Sequence, residues 1–493
     1  MMMRETYLRS GRFDSLYRVF GWLLMLEAIL MLLPLAVCLL YGETDWLAFA
    51  CSFVATGIAG GALACSYRRS HAPIYRREGY LLISSVWIFF SIFGMIPFLL
   101  SASPLTLTDA FFETMSGFTT TGASVIPDVE AQSRGILLWR ALIQWLGGLG
   151  IVMFLIAIIP SLNDSGGISL FNAEVTGISH DKLHPRIRQT ALSLWTVYAL
   201  LTLLQIATLL FLGMGVFDSV CQACSTMSTG GFSTRNDSIS AWHSPAIAWA
   251  VTAFMFTGGV NFILVYNAVR GKGRQLFRNN VFRTYVVIVL ASVGMMSLRL
   301  HSEGATGVNN LLLSPLFMVS SAVTSTGFEY SSFIPFAAWG PLPLIIIIML
   351  MTCGACAGST TGGIKIDRIV ALSKNLRNEI VHTLMPNSIK RVVVGGKEIP
   401  QNVMLRLVGF ITIYMLTVVA GAMAMTACGY PLTDSLFAST SCMGNAGLGF
   451  GATGAGYSML PDTLKWLFSF EMLIGRLEIY PVLALCYAPL WSR

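Results

Sequence analysis

Charge is what this chain has least of. Only 11% of its 493 residues are charged, against 55% that are hydrophobic. A soluble fold of this length could not hide so much apolar surface, so that class is excluded. Histidine is scarce as well: His71, His180, His184, His243, His301 and His382 are dispersed along the chain. The sequence holds no HExxH, GxSxG or Walker A motif and no paired-carboxylate metal motif. Those absences argue against intramembrane proteolysis, serine hydrolysis and nucleotide hydrolysis, and the chain reads as no enzyme. There is no cleavable signal, because the first apolar run is too long and lacks a small-residue cleavage site. The ten cysteines are scattered. Cys221/Cys224 and Cys353/Cys356 have zinc-like spacing but no nearby histidine, and they read as small buried residues.

What is present is apolar length. Runs at 16–41, 46–65, 81–100, 136–159, 192–212, 246–266, 285–298, 342–351 with its continuation, 405–428 and 464–490 approach the ~20 residues that cross a bilayer. About ten helical spans follow. Basic residues cluster in alternate connections. The clusters are Arg4/Arg9/Arg12/Arg18, Arg68/Arg69/Arg76/Arg77, Lys182/Arg186/Arg188, Arg270/Lys272/Arg274/Arg278/Arg283 and Lys365/Arg368/Lys374/Arg377/Lys390/Arg391/Lys397. The connections between them carry acids instead, among them Glu43, Asp45, Asp109, Glu113, Asp128, Glu130, Asp218, Asp237, Glu303, Glu329, Asp434 and Asp462. This alternation follows the positive-inside rule and places the N-terminus in the cytoplasm. It accounts for the net charge of +7 without a nucleic-acid partner.

Four segments can be laid over one another: 109–122, 218–231, 314–327 and 434–447. They open on Asp109, Asp218, Ser314 and Asp434 and close on Gly122, Gly231, Gly327 and Gly447. Ser116, Ser225, Ser321 and Ser441 share one internal offset; Phe112, Phe317 and Phe437 share another, with Cys221 in the remaining copy. Each segment covers only about 20 Å as a helix, short of a ~30 Å hydrocarbon core. They are expected to be re-entrant, entering as a helix and leaving as a loop on the outer side. Asp109, Asp218 and Asp434 are expected N-caps, and Ser314–Pro315 an N-cap followed by a first-turn proline. Non-helical backbone at membrane depth must line water or be buried in protein.

The expected fold is therefore an all-α polytopic membrane protein. A fourfold helix, pore-helix, filter-loop, helix repeat surrounds a central pore, preceded by two extra N-terminal helices. The boundaries are 1–78 for the N-terminus and extra helices, then repeats at 79–185, 186–275, 276–398 and 399–493. Four helix C-termini aimed at one point favour a cation, and loop carbonyls replace its hydration shell. The filter candidates are Thr120, Thr121 and Gly122; Thr229, Gly230 and Gly231; Ser325, Thr326 and Gly327; and Asn445, Ala446 and Gly447. Their hydroxyls, with those of Thr119, Ser228 and Thr324, add oxygen ligands or brace the loops. Glu113 and Asp128 are candidates to draw cations to the mouth. Glu27 reads as satisfied locally.

The stretches 118–124 (FTTTGAS), 228–233 (STGGFS), 324–329 (TSTGFE) and 444–449 (GNAGLG) resemble the filters of the Trk/Ktr/HKT potassium-uptake superfamily. The stretch 354–365 (GACAGSTTGGIK) is similar to that family's interrupted helix in repeat three, and 475–483 (GRLEIYPVL) to its final helix with an intramembrane arginine. The resemblance covers nearly all of the chain beyond residue 75, and the two leading spans favour the TrkH-type branch over the KtrB type. One departure is Leu448, where proline is common in that branch. The resemblance implies potassium as the transported ion, with no organic cofactor. It implies a gate just below the filter, formed by Gly354, Ala357, Gly358, Ser359, Thr360, Thr361, Gly362 and Gly363 with Lys365 and Arg476. It also implies a homodimer on a cytosolic TrkA-type nucleotide-binding ring, in a bacterial inner membrane. The basic loops at 182–188, 270–283 and 365–397 suit docking to that ring or contact with anionic lipid.

Arg476 has two readings, an ion pair with Glu471 or Glu478, or a cationic barrier beside the pore. Lys365 has two as well, a similar barrier or a helix-end marker. The competing function is a proton- or sodium-coupled secondary cation transporter such as a KtrB-like subunit. Four like repeats, in place of two inverted ones, favour the pore.

Overall fold

A computed structural model describes residues 2–67, 76–150, 187–332, 335–385 and 391–486. Their regular secondary structure is helical, apart from one short hairpin pairing Val393 with Glu398 across Gly395 and Gly396. Six described helices are long and apolar enough to cross a membrane: Leu16–Tyr41, Trp46–Ser66, Leu81–Leu100, Gln189–Phe211, Asn280–Ser302 and Gln401–Ala427. Helix α1 (Met2–Tyr41) and α2 (Trp46–Ser66) form the leading pair. They approach closely because both faces are small: a Cβ on Gly21 would lie 2.4 Å from the Ala64 amide nitrogen. Such small-residue seams replace the hydrophobic drive that lipid removes.

From α3 (Arg76–Gly94) onward, one order of elements recurs four times. A long helix is followed by a short one, a loop and a second helix. The first helices are α3 with its continuation α4 (Ile96–Leu100), then further along the chain Ile187–Phe211, Asn280–Ser302 and Gln401–Ala427. In chain order, α5 is Leu107–Phe118, α6 Arg134–Gly148, α7 Ile187–Phe211, α8 Val216–Met227, α9 Pro245–Gly258, α10 Phe262–Asn267 and α11 Asn280–Ser302. Next come α12 (Ser314–Val323), α13 (Pro341–Cys353), α14 (Ile366–Leu384), α15 (Gln401–Ala427), α16 (Leu432–Met443), α17 (Asp462–Arg476) and α18 (Tyr480–Cys486). The short helices α5, α8, α12 and α16 have 12, 12, 10 and 12 residues and are buried along most of their length.

The aspartates are not N-caps. Each helix starts a little earlier than its aspartate, so Asp109, Asp218 and Asp434 sit in first turns whose caps are Thr106, Gly215 and Pro431. There they still oppose the positive end of the helix dipole, and the Asp109 amide donates to the Thr106 hydroxyl. Ser314 opens α12 after a π turn and is not its cap. The recurring phenylalanines are fully buried. Phe112 packs on Tyr457, Phe317 on Tyr330 and Phe437 on Phe450, with ring centroids 5.4–5.5 Å apart.

The third repeat's second helix is interrupted as expected, and two others depart from the expected straight spans. The span expected at 246–266 bends by 105° between α9 and α10, because Asn261 caps a new helix there through the amides of Ile263 and Leu264. The chain is interrupted between α13 and α14 and again between α17 and α18. The span expected at 136–159 ends its described part at α6; the rest of it, with most of the 182–188 cluster and the end of 464–490, lies outside the described residues. Glu27 is not satisfied locally. It is wholly buried beside Gly94, and among the described residues neither carboxyl oxygen has a hydrogen-bond partner.

Candidate functional site

All four short helices end in the same way. The residue two before the closing glycine is left-handed: Thr120 (φ 54°), Thr229 (54°), Ser325 (48°) and Asn445 (51°). Its amide donates to the carbonyl three residues back, at 3.0–3.2 Å. The next amide donates five residues back to the recurring serine: Thr121 to Ser116, Gly230 to Ser225, Thr326 to Ser321 and Ala446 to Ser441, at 2.8–2.9 Å. This bond pair is a Schellman closure, which usually employs glycine at the left-handed position. Threonine there costs on the order of 1–3 kcal/mol. Four such exceptions fall at equivalent places.

The closing glycines then turn through positive φ at 84°, 79°, 85° and 69°, a region only glycine enters freely. Space demands glycine as well. A Cβ on Gly122 would lie 2.1 Å from the Gly230 carbonyl oxygen, on Gly231 2.0 Å from that of Thr326, on Gly327 2.2 Å from that of Ala446, and on Gly447 2.0 Å from that of Thr121. Each loop touches the next and the last touches the first, so the contacts close in a ring. The twelve sequence candidates in these loops are thereby brought together.

The hydroxyls brace this ring. Thr119 pairs with Thr121 at 2.9 Å and Thr324 with Thr326 at 2.7 Å. The Asn445 amide donates to Thr121 Oγ1 at 3.0 Å, joining the fourth loop to the first. Ser321 and Ser441 donate to the carbonyls of Phe328 and Leu448, at 2.7 and 2.8 Å. Glu113 is not a mouth acid. It is fully buried, receives Arg140 Nε at 2.8 Å, and accepts the Val125 amide at 2.8 Å. Arg140 extends to the Ser233 carbonyl and covers the Phe232 ring, tying loop one to loop two. Asp128 is exposed at the rim, where the Asn236 amide donates to it and holds its carboxyl below the usual range.

Against the ring lies the interrupted segment between α13 and α14. Gly354, Gly358 and Gly363 have positive φ. The segment docks on the bend between α9 and α10: Cys356 N donates to Gly259 O at 3.1 Å, Phe262 N to Gly358 O at 3.0 Å, and the Asn261 amide to Ala357 O at 2.7 Å. Ser359 and Thr361 pair at 2.8 Å. Its upper edge touches the ring directly. Gly362 N donates to Ser325 Oγ at 2.8 Å, Thr360 Oγ1 lies 3.1 Å from Thr229 Oγ1, and a Cβ on Gly362 would lie 2.3 Å from Gly444 O.

Arg476 reaches this segment from α17. It donates to Thr360 O at 2.7 Å and to Gly147 O and Gly148 O at 2.5 and 2.7 Å. Glu471 accepts from Ser439, and Glu478 sits between Lys365 and Arg368. Lys365, itself left-handed at φ 77° and buried, opens α14 opposite Glu478. Two side chains that carry this geometry have no motif to announce them. One is Asn261; the other is Gln144, whose amide clamps loop two through Gly230 O and Phe232 N.

Apolar helices of membrane-crossing length around a ring of largely buried loops fit a membrane transport protein. The comparisons agree. A family model for TrkH, described as a cation transport protein, matches residues 47–489. The chain is 32% identical over 492 residues to the Trk system potassium uptake protein TrkH of Salmonella typhimurium, covering 98% of this chain and 100% of that one. It is 33% identical to the Trk system potassium uptake protein TrkG of Escherichia coli, covering 96% and 97%. The crystal structure of the potassium transporter TrkH from Vibrio parahaemolyticus superposes with a TM-score of 0.86 at 30% identity, covering 98% and 100%. The chain belongs to the TrkH family of cation transport proteins.

Proposed function

We propose that this chain is the potassium-translocating subunit of a Trk-type uptake system. Potassium is its cargo, passing through a central pore whose filter is the ring of four loops. Repeats at 79–185, 186–275, 276–398 and 399–493 each supply one short helix and one loop, and residues 1–78 supply the extra pair. The observation that carries this reading is the closed chain of glycine-to-carbonyl contacts from Gly122 through Gly231 and Gly327 to Gly447. Four helix C-termini bring roughly half a negative charge each to one place. Backbone carbonyls there stand in for the ion's water without a fixed anion.

Below the filter, Gly354, Ala357, Gly358, Ser359, Thr360, Thr361, Gly362 and Gly363 form the gate. Arg476 holds it through Thr360 O and places a positive charge beside the path, and Lys365 opposite Glu478 anchors its lower end. The protein works as a homodimer in a bacterial inner membrane, N-terminus inward, on a TrkA-type cytosolic ring. The family match and the relatives named as Trk potassium uptake proteins support the cargo and the system.

The test is ion flux into proteoliposomes, potassium against sodium, for the wild-type protein and Gly122→Ser. Potassium preference that collapses in the variant supports the filter. Sodium and potassium carried alike by both proteins would place the pathway elsewhere.

A further inference from the structure

The four loops are alike in backbone but not in bracing. The residue before the closing glycine is Thr121, Thr326 or Ala446 in three copies and Gly230 in the second. The two threonines are pinned by hydroxyl contacts within their own loops, and the fourth loop is pinned by the Asn445 amide. Loop two carries consecutive glycines, the freest backbone of the set; Ser228 and Thr229 bond to carbonyls just before them, but Gly230 has no side chain with which to brace itself.

Gln144 supplies it from α6. Its Nε2 donates to Gly230 O at 2.6 Å and its Oε1 accepts from Phe232 N at 3.1 Å, so one amide spans both sides of Gly231. The side chain is fully buried. A Cβ on residue 230 would lie 2.5 Å from Gln144 Cδ. Glycine at 230 is therefore the condition for the amide to reach the loop, since its own backbone is not at positive φ. Among the described residues, the corresponding carbonyls of Thr121, Thr326 and Ala446 accept no hydrogen bond. The Gly230 carbonyl is also the one against which Gly122 packs.

We propose that Gln144 is a positioning residue that sets cation specificity, an inference that rests on the loop ring being the filter. A carbonyl already committed to a short hydrogen bond cannot follow a smaller ion inward. It keeps the ring at the spacing suited to potassium and weakens its field on sodium, the two quantities on which selectivity turns. Without the clamp, the double-glycine loop relaxes toward sodium.

The experiment measures potassium and sodium flux in proteoliposomes for wild type, Gln144→Met and Gly230→Ala, with Gly122→Ser as the filter control. Gln144→Met keeps the volume and removes the donor and acceptor. Gly230→Ala leaves α6 intact and drives the amide off its carbonyl. The expected result is a potassium-to-sodium ratio lowered about fivefold or more, the order of one lost hydrogen bond. The potassium concentration for half-maximal flux rises with it. Monodisperse protein with wild-type thermal unfolding separates this from damage to the fold. A wild-type ratio in folded Gln144→Met, with selectivity lost in Gly122→Ser, overturns the role of Gln144 and leaves the filter standing. Selectivity kept in all variants overturns the filter itself. If neither Gln144→Met nor Gly230→Ala folds, the amide is a folding contact and the specificity role is overturned.

Discussion

At the scale of single residues, the site is backbone held in uncommon conformations by buried polar side chains. The Glu113–Arg140 pair bears much of that load, since it ties the post-glycine strands of two loops together. Breaking a buried pair from one side leaves a charge without a partner and costs about 3–5 kcal/mol. Arg140→Ala should therefore lower the unfolding temperature sharply, and adding Glu113→Gln should restore part of it. A thermal-unfolding series in detergent reads both, and an unaltered midpoint in Arg140→Ala would contradict the account. Arg476→Gln removes a positive charge and the grip on Thr360 together. Resting potassium flux should rise about fivefold or more, equivalent to ~1 kcal/mol off the barrier; unchanged flux would assign Arg476 a purely structural part. The closing glycines were legible because they recur at one offset and terminate short apolar segments. Gln144 and Asn261 were not, because each is a lone amide in an apolar stretch and meets its partner far along the chain. Glu113 was misread for the same reason: nothing near it in sequence announces Arg140.

At the scale of elements, the broken helices do the positioning. The density of glycine at 354–363 exposed one break in the sequence, as helix propensity predicts. The 105° bend between α9 and α10 was not legible, because Gly258, Gly259 and Asn261 interrupt an otherwise apolar run only briefly. It arises where Asn261 both caps α10 and donates to Ala357 O. Those two jobs make a prediction. Asn261→Ala should loosen the interrupted segment, seen as faster amide exchange at Cys356 and Phe262 and a higher resting flux. The lost cap alone is worth about 1 kcal/mol. Exchange at wild-type rates would show that the segment is held elsewhere. The N-cap misassignment is an error of element boundaries. Thr106, Gly215 and Pro431 differ from copy to copy, so only the shared aspartates stood out.

At the scale of the whole molecule, hydrophobic composition made the membrane class readable before any geometry, and the alternation of charge supplies an expected orientation. The repeated order of elements follows from one motif copied along the chain. How the copies meet does not, because the ring depends on contacts between residues 95 or more positions apart. The orientation has its own check: cysteine placed at exposed Glu303 should label from outside intact cells, and at Lys374 only after permeabilisation. Reversed labelling would invert the topology. The central claim is that the cation sits in the ring made by Gly122, Gly231, Gly327 and Gly447. Its most direct test is anomalous diffraction from crystals grown in rubidium, a heavy stand-in for potassium. The account predicts an anomalous peak on the axis of the four loops, within coordination distance of their carbonyls and weakened in Gly122→Ser. Peaks only elsewhere in a well-ordered crystal, with none among the loops, would contradict it.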